Sequence, residues 1–251
     1  MRRSMVLVLA LALSACGSLD TDGEPDGSGP LVIVAAASLH AAFDDLADAF
    51  TERFPQYRVA PIEYDGSQAL AVRLLDGAEV DVVAFADEMS LRPVTDAGIV
   101  EGHTIFATNT LRIAVPPGNP RSITTLQDLA DPDLAVVLCA PDVPCGAASE
   151  ALLDAAGVHV RPVSQETNVT SVLNRVAWGE ADAGLVYATD VAASAGRVDG
   201  VTPPNADTVV NRYPIAVASA APSAASAHAF VEFVMSRRGQ AILAAHGFGA
   251  P

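Results

Sequence analysis

The sequence contains no lysine, and aromatic residues make up only 5% of the chain. Its 14 basic residues are all arginines, and 30 acidic residues give a formal net charge of −16. Because the arginines form no cluster larger than an adjacent pair along so acidic a chain, nucleic acid and anionic membrane surfaces are poor partners. We therefore expect no nucleic-acid partner, and we expect any contact with a membrane to be made by something other than surface charge.

Catalytic signatures are missing as well. The sequence has no Gly-x-Ser-x-Gly, His-Glu-x-x-His, P-loop or dinucleotide-binding glycine motif. An enzyme needs a positioned nucleophile or an acid–base pair, and the five histidines are dispersed along the chain, at positions 40, 103, 159, 228 and 246. We therefore predict that the protein is not an enzyme.

Cysteine is scarce, with three residues in the whole chain. Cys139 and Cys145 flank a short segment, so in an oxidising exterior they could form a disulfide. The alternative is one buried free thiol on a strand and a second thiol in a loop. No histidine or further cysteine lies nearby in the sequence, so we do not expect these thiols to bind a metal cation directly.

The first sixteen residues predict export. Arg2 and Arg3 precede an apolar run over residues 5–13, which is about long enough for a signal peptide and too short to span a bilayer. The following Leu13-Ser-Ala-Cys16 resembles the lipobox of bacterial lipoproteins. We expect lipid on Cys16 to anchor the protein to the outer face of the bacterial cytoplasmic membrane, as its one membrane contact. The alternative is an ordinary secretory signal that contains a cysteine.

A flexible tether is predicted over residues 17–30, where glycine, proline, serine and acidic residues leave little apolar surface to bury. The folded part is then residues 31–251, which is long enough for a substantial core or for two lobes. No later segment is apolar enough over sufficient length to predict a transmembrane helix.

Strands and helices alternate in the folded part, and this order predicts an α/β protein with parallel sheet. The first set contains strands at 31–35, 58–63 and 80–86, with helices from Ser38 to about residue 54 and from Ser67 to about residue 75. The second set contains strands at 111–115, 135–140, 183–187 and 213–219, and helices near Thr125, at 146–156, at 169–178 and at 224–246, the last broken near Gly239. No internal repeat of fixed period is visible.

Small or hydroxyl residues recur where a predicted strand leads into a helix. These turns end at Ser38 and at Ser67, or comprise Pro144-Cys145-Gly146 and Asn168-Val169-Thr170. The start of a helix exposes unpaired backbone N–H groups and the positive end of the helix dipole, so several such starts can surround an oxyanion. For any one of these residues taken alone, simple capping of the helix is the alternative.

Six blocks of sequence resemble the molybdate-binding proteins of ABC importers, in register from residue 31 to His246-Gly-Phe248. The blocks are Ala35-Ala-Ala-Ser38-Leu39, Asp65-Gly-Ser67, Ala86-Asp87, Pro141-Asp-Val-Pro-Cys145-Gly146, Asn168-Val169 and Gly184-Leu-Val-Tyr187-Ala-Thr-Asp190. The first and last blocks are weak signals singly, but the order of the whole set is specific.

The resemblance implies a periplasmic-binding-protein type II fold, with two α/β lobes joined by two crossover strands. Lobe 1 would comprise residues 31–109 and 212–251, and lobe 2 residues 110–211. Molybdate or tungstate would bind between the lobes without any cofactor, held by five residues: Ser38 and Ser67 through hydroxyl and backbone N–H groups, Cys145 and Val169 through backbone N–H groups, and Tyr187 through its phenol.

Further expectations follow from the resemblance. The protein would be a monomeric receptor that delivers its oxyanion to the membrane permease of an ABC importer. Sulfate or another tetrahedral oxyanion is the alternative ligand, and a surface lipoprotein without a ligand is the alternative of another class. The chain departs from the family pattern at Cys145, where a small residue such as alanine is usual, and at His40 and Gly66, which replace common polar residues.

Overall fold

The structure is a computed structural model that describes residues 29–251. The predicted signal peptide over residues 1–16, the lipid-bearing Cys16 and almost all of the predicted tether lie outside the described residues. Within residues 29–251, no helix is both long and apolar enough to cross a membrane.

The first part of the chain alternates three strands with three helices. In order these are β1 (Ile33–Ala36), α1 (His40–Arg53), β2 (Glu63–Asp65), α2 (Ser67–Leu75), β3 (Val82–Ala84) and α3 (Glu88–Asp96). A 3-10 turn over Ala37–Leu39 leads from β1 into α1. Apolar residues at helical spacing, such as Phe43, Leu46 and Phe50, give α1 the buried face that holds it against the sheet.

A long strand, β4 (Thr104–Val115), leads into a second alternating set. This set contains β5 (Val136–Cys139), α4 (Pro144–Ala155), β6 (Ser164–Glu166), α5 (Val169–Ala177), β7 (Ala183–Tyr187), α6 (Ala188–Ala193) and β8 (Asp199–Val201). The chain closes with β9 (Val210–Val217), α7 (Ala224–Met235) and α8 (Arg237–Ala245).

One mixed sheet runs through the described part of the chain in the order β2-β1-β3-β9-β4-β7-β5-β6, with β8 on β4. Strand β1 is parallel to β2 and β3, and β5 is parallel to β6 and β7. The central strands β4 and β9 are antiparallel to each other and to the strands beside them. The carboxyl ends of the parallel strands are where α/β proteins place ligands.

The buried apolar residues form separate clusters on the two sides of the β4–β9 pair. Two clusters draw their buried residues only from within residues 31–107 and 213–248, and we call this part of the structure the first lobe. The third cluster draws its buried residues only from within residues 111–198, and we call this part the second lobe.

The sequence placed most elements correctly and misplaced a few. Of the strand predicted over residues 58–63, residues 58–62 make only an isolated bridge at Val59, and β2 begins at Glu63, because Pro61 lacks the N–H that a continuous strand would need. The segment near Thr125 forms a 3-10 turn over Gln127–Ala130 and not an α-helix. Helix α3 was not predicted because Pro93 lies inside it.

Candidate ligand-binding site

A small cavity lies between the two lobes, beside the carboxyl ends of the parallel strands. Its volume is about 20 Å³, so it has room for one small ion and not for a larger metabolite. All five residues that the family resemblance implies line it: Ser38, Ser67, Cys145, Val169 and Tyr187. The remaining lining residues are Ala36, Ala37, Asp65, Gly66, Ala86, Val143, Pro144, Thr167 and Asn168.

Ser67 is the first residue of α2 and is almost completely buried. Its Oγ accepts a hydrogen bond of 3.1 Å from the backbone N–H of Ala86, which follows β3. Because that bond occupies an oxygen lone pair, the hydroxyl hydrogen of Ser67 stays available to a ligand acceptor. Ser67 therefore offers a hydrogen-bond donor.

Ser38 lies in the 3-10 turn between β1 and α1, and it is half-buried. Its Oγ is 2.9 Å from the phenol oxygen of Tyr213, a fully buried residue on β9. This contact ties a first-lobe turn to one of the two strands that pass between the lobes. Sequence reasoning did not identify Tyr213 as part of the site, since nothing in its local sequence distinguishes it from a core residue.

In the second lobe, two of the five predicted site residues lie at the starts of helices. Cys145 is the second residue of α4, after Pro144, and Val169 is the first residue of α5. The backbone N–H groups of a helix's first turn have no partner within the helix, so they can donate to an anion. The Asn168 side chain caps α5 by accepting from the backbone N–H of Ser171 at 2.9 Å. This cap does not use the N–H of Val169.

The turn before α4 is constrained in two ways. Cys139 and Cys145 form a disulfide with a Cα–Cα distance of 5.7 Å, so the alternative of two free thiols does not describe this structure. At Gly146, a Cβ would lie 1.7 Å from the carbonyl oxygen of Ala140, so that no other residue fits this backbone. Together they fix the direction of the Cys145 N–H.

Tyr187 ends β7 and is fully buried. Among the described residues its hydroxyl has no hydrogen-bond partner, although buried polar atoms are nearly always paired. Burial, with Tyr213, Asp87 and Asp190 nearby, raises the pKa of Tyr187 well above its ordinary value. The phenol therefore keeps its hydrogen, and a ligand acceptor in the cavity would satisfy it.

Among residues 29–251, no arginine or histidine lines the small cavity, and the single charged side chain that does so is Asp65. One oxygen of Asp65 accepts from the backbone N–H of Gly66 at 2.7 Å and from the side-chain amide of Asn168 at 3.1 Å. The donors that face the cavity are therefore neutral hydroxyl and N–H groups. Such a set suits an anion rich in hydrogen-bond acceptors, because burying a neutral donor costs less desolvation free energy than burying a charged one.

The two lobes touch beside the cavity. The Asp65–Asn168 hydrogen bond joins them, and Gln68 Nε2 of the first lobe donates to the carbonyl of Asp142 in the second. Gly66 lies against Thr167 so closely that a Cβ at this position would be 2.4 Å from the Thr167 carbonyl oxygen. The two lobes are therefore in contact beside the cavity, and the missing side chain of Gly66 makes this close approach possible.

A larger hollow of about 590 Å³ adjoins the small cavity and shares Ser38 and Asn168 with it. Its lining includes His40, Arg197 and His246. Despite the larger size of the hollow, the starts of α2, α4 and α5 and the unpaired phenol of Tyr187 converge on the small cavity. Asp190 lies at the edge of the hollow, and its carboxylate accepts from the backbone N–H of Tyr187 at 2.9 Å.

The sequence profile of the bacterial extracellular solute-binding proteins matches residues 31–249. The molybdate-binding protein ModA of Mycobacterium tuberculosis (strain H37Rv) is 43% identical over 249 residues, which cover 97% of this chain and 95% of the relative. Among solved structures, the periplasmic molybdate-binding protein of Azotobacter vinelandii superposes with a TM-score of 0.77 at 21% identity, over 88% of this chain and 99% of that one. The sulfate-binding protein SubI from M. tuberculosis H37Rv gives a TM-score of 0.73 at 21% identity, over 87% and 86% of the two chains.

Proposed function

This chain belongs to the family of bacterial extracellular solute-binding proteins, and we propose that it is a receptor that binds molybdate, and tungstate with it, between its two lobes. Its fold is the periplasmic-binding-protein fold of those relatives. The metal would be bound as an oxyanion and not as a cation, so that no cofactor is required.

The observation that carries this proposal is the unpaired hydroxyl of Tyr187 in a cavity lined by three helix starts. Ser38 and Ser67 would donate from the first lobe, and Cys145, Val169 and Tyr187 from the second. A hydrogen bond to a charged acceptor contributes about 1.5–3 kcal/mol, so that this set can support tight binding without a cationic side chain.

Selectivity for charge state follows from the same donors. A hydroxyl on a protonated oxyanion would face another donor, and the buried groups would be mismatched. Fully deprotonated molybdate, tungstate and sulfate are therefore favoured over phosphate near neutral pH. The 43% identical relative named for molybdate supports molybdate over sulfate, while the structural likeness to a sulfate-binding protein keeps sulfate as the second candidate.

We further propose that the lobes hinge about β4 and β9 and close on the anion, as in other hinged binding proteins. The division would fall as the sequence predicts, with residues 31–109 and 212–251 in one lobe and residues 110–211 in the other. The closed, monomeric form would then dock on the permease of an ABC importer. A receptor of this family acts outside the cytoplasm, and lipid on Cys16 would hold it at the outer face of the membrane.

Isothermal titration calorimetry tests the ligand, with the chain from residue 29 onward, which contains every apolar cluster described above. Molybdate, tungstate, sulfate and phosphate are titrated separately, and the thermal shift is measured in parallel, because bound ligand raises stability by RT ln(1 + [L]/Kd). Binding of molybdate and tungstate alone supports the proposal, whereas binding of sulfate alone would replace molybdate by sulfate.

Two tyrosine variants complete this experiment. Tyr187→Phe removes the unpaired hydroxyl and should weaken molybdate binding about tenfold to a hundredfold. Tyr57→Phe is the matched control, because Tyr57 stacks on Phe50 in the first lobe and does not line the cavity. No response of the unmodified chain to any of the four anions would favour the surface lipoprotein without a ligand.

A further inference from the structure

A chain of buried polar side chains leads from Ser38 into the two strands that join the lobes. Ser38 Oγ is 2.9 Å from Tyr213 Oη. On the far side of Tyr213, Asn109 Nδ2 lies 3.4 Å from the same phenol oxygen and 2.8 Å from Thr189 Oγ1. Asn109 is on β4 and Tyr213 is on β9. These side-chain contacts add to the backbone pairing of β4 with β9.

The direction of the Asn109 amide is fixed by the neighbouring backbone. The N–H of Thr110 donates to Asn109 Oδ1 at 3.0 Å. If the amide were turned over, its NH2 group would face this N–H donor, and two donors would oppose each other in a buried place. The NH2 group of Asn109 therefore faces Thr189 and Tyr213.

This orientation restricts where the hydrogen of Tyr213 can go. Either oxygen of the Ser38–Tyr213 contact could be the donor, and with the Asn109 N–H facing Tyr213 Oη from the other side, we assign the phenol hydrogen to Ser38 Oγ. Burial raises the pKa of Tyr213 well above its ordinary value, so the phenol does not lose that hydrogen. With this assignment the hydrogen of Ser38 is available to an acceptor in the small cavity, which Ser38 lines.

We propose that Asn109 and Tyr213 are positioning residues that fix Ser38 as a hydrogen-bond donor and so make the cavity reject oxyanions that carry a proton. This inference rests on the proposed function and adds residues that do not touch the ligand. A serine hydroxyl on its own can turn and accept from a protonated anion. The backbone N–H of Ala86 already directs the hydroxyl of Ser67 in this way, and the contact with Tyr213 would do the same for Ser38.

The first test is Tyr213→Phe, which removes only the relay oxygen and keeps the aromatic ring in the core. Calorimetry near neutral pH should show molybdate binding weakened about tenfold and phosphate binding weakened less. The dissociation constant for phosphate divided by that for molybdate should therefore fall. In a Ser38→Ala background the same change should have little further effect, because the relay acts through Ser38. An equal loss of affinity in both backgrounds, or an unchanged molybdate-to-phosphate ratio, overturns the proposal.

The second test is Asn109→Asp, which puts an acceptor where the NH2 group faces Tyr213. The phenol would then donate to residue 109 and accept from Ser38, so Ser38 would turn a lone pair to the cavity and molybdate would bind at least about tenfold more weakly. Adding Tyr213→Phe to this variant cuts the reversed relay and should restore part of the affinity. A double variant weaker than Asn109→Asp overturns the proposal.

Controls separate this result from folding and from the function itself. Each variant is first compared with the unmodified chain by thermal unfolding without ligand, and a loss of packing would lower affinity for all anions by the same factor. If the unmodified chain binds none of the four oxyanions, the proposed function fails and the relay with it. If it binds molybdate and the variants behave additively, only the relay fails.

Discussion

The two lobes repeat one architecture with different interiors. The strand order β2-β1-β3 of the first lobe corresponds to β6-β5-β7 of the second, and an antiparallel strand follows each third strand, β9 beside β3 and β4 beside β7. The likeness extends to single hydrogen bonds. Asp81 accepts from the backbone N–H of Val32, and Asp182 accepts from that of Ala135, both at 2.8 Å. Each aspartate immediately precedes the third strand of its lobe, β3 or β7.

The packing differs between the lobes. Aromatic rings dominate the first lobe's core, where Phe50 makes edge contacts with Phe230 and Phe233 at centroid distances of 5.3 and 5.8 Å. Of the described residues that form the buried cluster of the second lobe, Tyr187 alone is aromatic. That lobe contains the Cys139–Cys145 disulfide instead. The same strand order therefore tolerates very different side chains, since packing volume matters more than residue type.

The ligand groups differ in the same way. In the proposed site the first lobe would offer the hydroxyls of Ser38 and Ser67, whereas the second would offer the backbone N–H groups of Cys145 and Val169 beside one phenol. A hydroxyl is lost with a single substitution, but a backbone N–H survives every substitution except proline. We therefore expect side-chain changes to affect ligand binding more through the first lobe.

The largest effect should come from Gly66, where the first lobe meets the second. In Gly66→Ala the new Cβ would lie 2.4 Å from the Thr167 carbonyl oxygen, so the lobes could not close as they do here. Overpacking of this kind costs about 3 kcal/mol, which corresponds to roughly a hundredfold weaker binding if closure is needed. Calorimetry with molybdate measures this.

The matched control for this prediction is Gly102→Ala, because a Cβ at Gly102 would meet nothing within 4 Å. Both variants should unfold at the temperature of the unmodified protein, since Gly66 lies at the contact between lobes and not inside either core. Normal affinity in Gly66→Ala would mean that the ligand binds without this contact and that the lobes need not close so far.

A second experiment compares a side-chain donor with a backbone donor. Ser67→Ala should weaken molybdate binding about tenfold to a hundredfold, because a buried hydrogen bond to the anion is lost. The double variant Cys139→Ala/Cys145→Ala keeps the N–H of residue 145, so we expect only about a threefold loss from a looser turn, with stability lower by about 2 kcal/mol. Affinities are measured by calorimetry and stability by denaturant unfolding. A larger loss in the cysteine variant than in Ser67→Ala would reverse the comparison.

The two aspartates at the third strands provide a third comparison, of stability. Asp81 is buried and accepts from two backbone N–H groups, those of Val32 and Ser223. In Asp81→Asn the amide NH2 would face one of these donors, at a cost of about 2 kcal/mol. Asp182 accepts from Ala135 and is partly exposed, 3.6 Å from Arg121, so we expect Asp182→Asn to cost about 0.5 kcal/mol. Equal losses in denaturant unfolding would contradict this difference.

Whether a feature can be predicted from the sequence depends on how far apart its interacting residues lie along the chain. The resemblance and the helix starts identified five residues that line one cavity, because strand-to-helix turns have short local signals such as Asp65-Gly-Ser67. Asn109 and Tyr213 could not be found in this way, since their contact with Ser38 joins positions far apart in sequence. Short elements such as β6 and α6 were missed for a related reason. Three to six residues carry too little periodicity, and pairing with the sheet decides their structure.

The last comparison concerns the carboxylates next to the site, and its expected effect is the smallest. Asp87 of the first lobe is half-buried, whereas Asp190 of the second is buried, and burial raises the pKa of Asp190 to about 7. Asp190 is therefore partly ionised at neutral pH, close enough to Tyr187 to raise the pKa of that phenol. An oxyanion on Tyr187 would repel the ionised carboxylate and raise the pKa of Asp190 further. Binding then takes up a proton, so affinity must increase as the pH falls.

Molybdate affinity, measured by calorimetry between about pH 8 and pH 6, should accordingly rise about threefold to tenfold in the unmodified protein. Asp190→Asn keeps an oxygen that can accept from the Tyr187 N–H but cannot ionise, so its affinity should stay nearly constant over the same range. Asp87→Asn is the control from the first lobe and should keep the pH dependence. If Asp190→Asn retains the slope, another group carries the proton, and the buried carboxylate of the second lobe does not sense the ligand.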